Sequence, residues 1–132
     1  MNRIPKIMVV DDEHDVEPLF RQKFRKEMRE GSIDFHFAFS GEDALEYLNT
    51  AKAADLILIL SDINMPGITG IELLRILKEQ YAHLKVFMIT AYDDKEKYDK
   101  SVEYGAEEYL TKPIDFEKLK LKILSIINKS EM

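Results

Sequence analysis

The chain has no cysteine among its 132 residues, which excludes a disulfide framework and thiolate chemistry and agrees with a reducing compartment. It has no apolar stretch of membrane-spanning length, and its start, Met1-Asn2-Arg3-Ile4-Pro5, lacks the apolar segment of a secretory signal. Basic residues are outnumbered by acidic ones, 19 to 25. The formal net charge is −6, whereas a nucleic-acid surface needs a basic face to neutralise phosphates. The histidines His14, His36 and His83 have no metal-ligand spacing, and no serine has a His/Asp retinue, which sets aside zinc chemistry and triad hydrolysis. Repeats, low-complexity segments and internal linkers are missing as well. The expectation is a cytoplasmic chain of one globular domain, with no membrane insertion and no direct nucleic-acid binding, whose 45% hydrophobic residues suffice for one core.

What is present is organised around Leu56-Ile57-Leu58-Ile59-Leu60-Ser61-Asp62-Ile63-Asn64-Met65-Pro66-Gly67, an apolar run that ends in a carboxylate and a turn. A run without alternation suits a strand covered on both faces, as in a parallel sheet flanked by helices. Asp62 then stands at the carboxyl end of a central strand, the edge where ligands and chemistry collect in open α/β sheets.

The same pattern recurs along the chain. Lys6-Ile7-Met8-Val9-Val10 is an apolar run ending in Asp11-Asp12-Glu13. Val16, Phe20, Phe24 and Met28 fall four apart and predict one helical face, with Pro18 in the first turn and Gly31 as the stop. Ile33 to Phe39 reads as a strand, and Ser40 caps a helix through Ala44, Leu45 and Leu48, with Asp43 in the capping-box position. Gly70 to Lys78 is a helix, Lys85 to Thr90 a fourth strand, Asp93 to Tyr104 a charged helix stopped by Gly105, and Glu108 to Thr111 a short fifth strand. Phe116, Leu119, Ile123 and Ile127 mark one face of the last helix, with a polar tail from Asn128. Five strands alternating with five helices predict a doubly wound parallel α/β fold, a single domain over 1–132 with its core in about 5–128.

Four strands deliver polar residues to one edge of the sheet: Asp11 and Asp12, Asp62, Thr90 and Lys112. Taken singly, each reads as a turn residue, a cap or a solvated lysine. Together, three converging carboxylates repel and raise one another's pKa unless a cation neutralises them. Hard oxygen donors without histidine or cysteine suit Mg²⁺. A metal beside a free carboxylate, a hydroxyl and an ammonium group fits phosphoryl transfer onto an aspartate.

This set and its spacing resemble the receiver domain of two-component response regulators, over essentially the whole chain. The resemblance implies a flavodoxin-like sheet of order 2-1-3-4-5. It also implies Asp62 as phosphoacceptor and Asp11 and Asp12 as the acidic pair for Mg²⁺, with Asp12 the direct ligand and the Asn64 backbone carbonyl completing the coordination. Thr90 and Lys112 become the hydroxyl and cation that meet the phosphoryl group, and Lys112-Pro113 the family's cis peptide. The implied donor is a phosphohistidine of a histidine kinase or histidine phosphotransfer protein. The implied output is a downstream protein or a covalently attached domain, reached through the face of the fourth helix, fifth strand and last helix. On this reading the chain is not an enzyme beyond its own phosphorylation and dephosphorylation.

Tyr109 stands at the family's switching aromatic, and reads equally as a half-buried strand tyrosine. Tyr92 and Asn64 are expected to flank the route of attacking water, and a bulky ring at Tyr92 to slow loss of the phosphoryl group. Leu121 and Leu124 fall off the apolar stripe of the last helix, as scattered surface leucines or as a homodimer or kinase contact. Two other classes compete. A haloacid-dehalogenase-like phosphatase needs Asp-x-Asp, where this chain has Asp62-Ile63-Asn64. A flavodoxin-like electron carrier wants hydroxyls and glycines in its first loop, where this chain has Asp11-Asp12-Glu13.

Overall fold

Five short segments form the strands β1 (Lys6–Val10), β2 (Asp34–Ala38), β3 (Leu56–Asp62), β4 (Lys85–Thr90) and β5 (Glu108–Thr111), of which β1, β3 and β4 are apolar on both faces. They make one parallel sheet in the order β2-β1-β3-β4-β5 in a computed structural model describing residues 4–91 and 94–130, with the Ser130 side chain outside it. The helices are α1 (Val16–Lys23), α2 (Arg25–Arg29), α3 (Gly41–Leu48), α4 (Gly70–Gln80), α5 (Lys95–Glu103) and α6 (Phe116–Ser130), with a 3₁₀ turn at Ala51–Asp55. The doubly wound fold expected from the sequence is the one observed.

The absence of alternation in β1, β3 and β4 has a direct explanation in the packing. Side chains of a strand alternate between faces, so Ile7, Val9, Leu58, Leu60, Phe87 and Ile89 face one helical layer, while Met8, Val10, Ile59, Val86 and Met88 face the other. The first layer draws on α1, α2 and α6 through Phe20, Phe24, Leu119 and Ile123. The second draws on α3 and α4 through Ala44, Leu48, Leu73, Leu74 and Leu77, with α5 alongside α4. Each fully buried Leu, Ile or Phe contributes roughly 1.5–3 kcal/mol relative to exposure, so covering both faces of the central strands is the main stabilising term.

The helix starts follow their caps. Ser40 Oγ accepts from Asp43 N (3.0 Å), Thr69 Oγ1 from Glu72 N (3.2 Å), and Asp94 Oδ1 from Glu96 N (2.9 Å). Three boundaries differ from the sequence expectation. The first helix is divided at Phe24, where φ −110° and ψ 20° leave helical values. The Phe24 ring is fully buried, 5.0 Å from Phe35 and 5.9 Å from Phe20 between centroids, so ring packing accompanies the break. Helix α6 continues through Asn128 to Ser130 where a polar tail is expected. Asp93, the expected start of the charged helix, lies outside the described residues, and α5 begins at Lys95.

Gly70 carries a packing constraint that bears on the site. A Cβ there would lie 2.2 Å from the Asp62 carbonyl oxygen and 2.6 Å from Ile63 Cα. Its N–H donates to Ile63 O (2.8 Å). The start of α4 is thereby pressed directly against the chain leaving β3.

Candidate functional site

Each polar residue of the strand-end set is placed by backbone pairing at the carboxyl edge. Asp11 follows β1, its N–H donating to Ala38 O (3.1 Å) and its Oδ1 accepting from Glu13 N (3.0 Å). Asp62 closes β3, and the next residue is held by Ile63 N donating to Ile89 O (3.0 Å). Thr90 closes β4 with no exposed surface, and its carbonyl accepts from Lys112 N (2.8 Å), which draws the loop after β5 over the strand ends. The Lys112-Pro113 peptide is cis, as the resemblance implies.

The side chains converge. Carboxylate oxygens of Asp11, Asp12 and Asp62 lie within 4.8 Å of one another. Lys112 Nζ donates to Asp11 Oδ2 at 3.2 Å and stands 3.7 Å from Asp62 Oδ1. Asp11 and Asp62 are 4% and 7% exposed, whereas Asp12 is open to solvent. Burial, then the neighbouring Asp11 charge, pushes the Asp62 carboxyl up to about 6, with Lys112 opposing the rise and Asp12 adding to it. Burial alone would pull the Lys112 ammonium down, but Asp11 and Asp62 beside it leave its pKa raised overall. A cavity of about 280 Å³ opens beside these groups, bordered by Asp11, Asp62, Lys112, Phe20, Leu60 and Ile114.

The arrangement has a chemical meaning independent of any relative. One lysine faces three carboxylates, so the cluster carries excess negative charge in a partly desolvated place. An all-oxygen donor set with one solvent-facing member fits a hard divalent cation that keeps several waters. Among the described residues, these three are the group of His, Asp or Glu side chains gathered closely enough to share an ion.

The remaining candidates are placed as follows. Asn64 is exposed in the loop two residues beyond Asp62, and its Oδ1 accepts from Lys97 Nζ at 2.6 Å. Tyr109 is half-buried on β5, its ring edge-on to Tyr98 at 5.1 Å and 88°. Tyr92 lies outside the described residues. Leu121 and Leu124 are 69% and 43% exposed. Lys97 was not a candidate from sequence, because nothing in a charged helix distinguishes a lysine that reaches another element from one that bonds within its own.

Fold and site define a flavodoxin-like α/β domain whose carboxyl edge carries an acidic cleft closed by a lysine. The chain belongs to the receiver domain family of two-component response regulators: the family model described as "Response regulator receiver domain" matches residues 7–124. It is 33% identical over 129 residues to the alkaline phosphatase synthesis transcriptional regulatory protein PhoP of Bacillus subtilis, covering 96% of this chain and 50% of that protein. It is 30% identical over 131 residues to chemotaxis protein CheY-3 of Vibrio cholerae, covering 98% of this chain and 96% of the other. Among solved structures, a CheY-like response regulator receiver domain protein from Methanospirillum hungatei superposes with a TM-score of 0.84 at 26% identity, covering 97% of each chain. The chain thus spans about half the length of the PhoP regulator and nearly all of the chemotaxis protein. Among the described residues, no helix is long and apolar enough to cross a membrane.

Proposed function

We propose that this receiver accepts a phosphoryl group on Asp62 from a phosphohistidine of a histidine kinase or histidine phosphotransfer protein. The observation that carries the reading is Lys112 Nζ poised between Asp11 (3.2 Å) and Asp62 (3.7 Å), with Asp12 completing the acidic cluster. The Asp62 carboxylate oxygen forms the bond to phosphorus while the bond to the donor's imidazole breaks and the imidazole leaves. Lys112 has only to turn from the carboxylates toward a phosphoryl oxygen to stabilise the charge on the transferring group. The Thr90 hydroxyl, on the neighbouring strand end, supplies a donor to another oxygen.

Asp11, Asp12, Asp62 and the Asn64 carbonyl would hold Mg²⁺, which would supply the positive charge that the cluster lacks, favouring the ionised form of Asp62 and offsetting charge on the phosphoryl oxygens. Of the acidic pair Asp11 and Asp12, Asp12, the one open to solvent, would be the direct ligand. Hydrolysis later returns Asp62 to a carboxylate, so the chain acts only on itself.

Phosphorylation adds roughly −1.5 to −2 charges at the edge, and Thr90 and Lys112 follow that charge. The face of α5, β5 and α6 is the expected readout, with Tyr109 moving against Tyr98. It signals to a downstream protein or an attached output domain in the cytoplasm, from a single domain over 1–132 with its core in about 5–128. Relatives of both forms match the chain, a transcriptional regulator over half its own length and a chemotaxis protein over nearly all of its own.

The test is intact mass after incubation with acetyl phosphate and Mg²⁺. Wild type gains one phosphoryl group (about 80 Da), and Asp62→Asn and an EDTA-treated sample do not. An adduct that survives in Asp62→Asn overturns the assignment.

A further inference from the structure

β2 is the outermost strand on its side of the sheet, and among the described residues no strand pairs with its outer side. The hydrogen bonds fix which groups lie there. Asp34 N donates to Pro5 O (2.9 Å) and Ala38 O accepts from Asp11 N (3.1 Å), so alternate residues from Asp34 to Ala38 turn their backbone toward β1. Phe35 and Phe37 turn theirs outward, while their rings pack into the first helical layer. Asp34 Oδ1 takes up the Phe35 N–H (2.9 Å), which leaves the Phe37 N–H and two carbonyls along the rim. An edge of this kind is a template for a further strand.

Beside the rim runs a groove of about 570 Å³ between β2 and α3, and its charges are sorted by end. Asp43 lies in the first turn of α3, toward the carboxyl end of β2, with Glu46 three residues on. Lys6 lies opposite Asp34 at the amino end of β2, its Nζ donating to Tyr47 OH (2.8 Å) and Lys52 O (3.2 Å). Among the described residues, none of Lys6, Asp43, Glu46 and Lys52 forms an ion pair. Between the two ends the His36 ring stacks on Tyr47 (3.6 Å, 12°), and burial, followed by the Lys6 charge, holds its pKa below the ordinary value.

We infer that the β2 edge is a self-association surface, on which a second copy of this chain adds its own β2 antiparallel about a two-fold axis at His36. The Phe37 N–H of each copy then donates to the Phe35 carbonyl of the other, and two five-stranded sheets become one. Reversal of the strand brings the acidic end of one groove against the basic end of the other, so that Asp43 faces Lys52 on both sides of the axis. A two-fold contact requires this kind of self-complementary patch. The two His36 rings meet at the axis uncharged. The Asp62 sites stand at opposite ends of the dimer, and β5 with α5 and α6 lies at its outer edges, so self-association and phosphorylation use separate surfaces.

Sedimentation equilibrium of the intact chain at low salt and up to about 1 mM tests this. Wild type dimerises, and added salt weakens the dimer. Asp43→Lys and Lys52→Glu, both at exposed positions, each weaken it about tenfold or more, two attractions having become two repulsions. An equimolar mixture of the two variants recovers wild-type association, because both contacts across the axis are then attractive. Hydrogen exchange of the Phe37 amide slows as protein concentration rises, and Leu121→Lys leaves association unchanged. A wild type that stays monomeric, a mixture that associates no better than either variant alone, a Phe37 amide indifferent to concentration, or loss of the dimer in Leu121→Lys overturns the inference.

Discussion

The middle and the end of β3 are almost equally buried and do opposite things to stability. Leu58, Ile59 and Leu60 are fully covered by the two helical layers, and their burial is favourable. Two residues on, Asp62 is 7% exposed beside Asp11, and its carboxyl is pushed up to about 6 by burial first and Asp11 second. One strand thus carries both the strongest stabilising contacts and a group that would be better off in water. The fold holds a charged cluster because a continuous apolar interior beneath it is large enough to tolerate the cost.

Truncation in the interior gives the largest expected effect. Phe24→Ala removes a fully buried ring packed on Phe20, Phe35 and Phe116, and should cost about 3–5 kcal/mol by urea denaturation. A cost under about 1 kcal/mol would mean that the break between α1 and α2 lets the region collapse around the gap.

Substitution at the strand end should carry the opposite sign. The folded protein binds a proton at Asp62 up to about pH 6, while an unfolded aspartate releases it near its lower ordinary value. Stability from this group is therefore fully present below the ordinary carboxylate range and is lost as pH rises through about 6. Metal-free Asp62→Asn should match wild type in acid and exceed it at neutral pH by on the order of 2 kcal/mol. A stability difference independent of pH would remove the electrostatic explanation.

Gly70→Ala probes the junction of the two regions. Its Cβ would stand 2.2 Å from the Asp62 carbonyl, so either α4 or the end of β3 must move. A loss of about 1–3 kcal/mol is expected, together with slower phosphorylation by acetyl phosphate. Unchanged phosphorylation would show that α4 gives way and β3 does not.

Surface positions mark the small end of the scale. Leu121→Lys, at 69% exposure, should change stability by less than about 0.5 kcal/mol and leave sedimentation unaltered with or without phosphorylation. A phosphorylation-dependent difference in sedimentation would instead make Leu121 part of a homodimer or kinase contact.

How much of this was legible in the sequence follows from the same contrast. Strands covered on both faces read as continuous apolar runs, so their ends, and the polar residues on those ends, could be located by inspection. The sheet then brings Asp11, Asp12, Asp62, Thr90 and Lys112 to one edge because parallel strands place all their carboxyl ends together. The break at Phe24 was not legible, since Phe20, Phe24 and Met28 keep helical spacing on either side of it. Neither was the Lys97 bridge, because a long side chain's choice of partner depends on which loop lies across from its helix. The extension of α6 through Asn128 shows a polar face continuing a helix whose buried side is anchored by Ile126 and Ile127.

The most direct measurement is urea denaturation of wild type and Asp62→Asn at neutral pH, each with and without saturating Mg²⁺. A buried carboxylate cluster built to hold a cation predicts that Asp62→Asn is the more stable protein without metal. It also predicts that Mg²⁺ stabilises wild type substantially more than the variant, because a ligand stabilises only the state that binds it. Equal metal-free stabilities together with equal responses to Mg²⁺ would contradict the account.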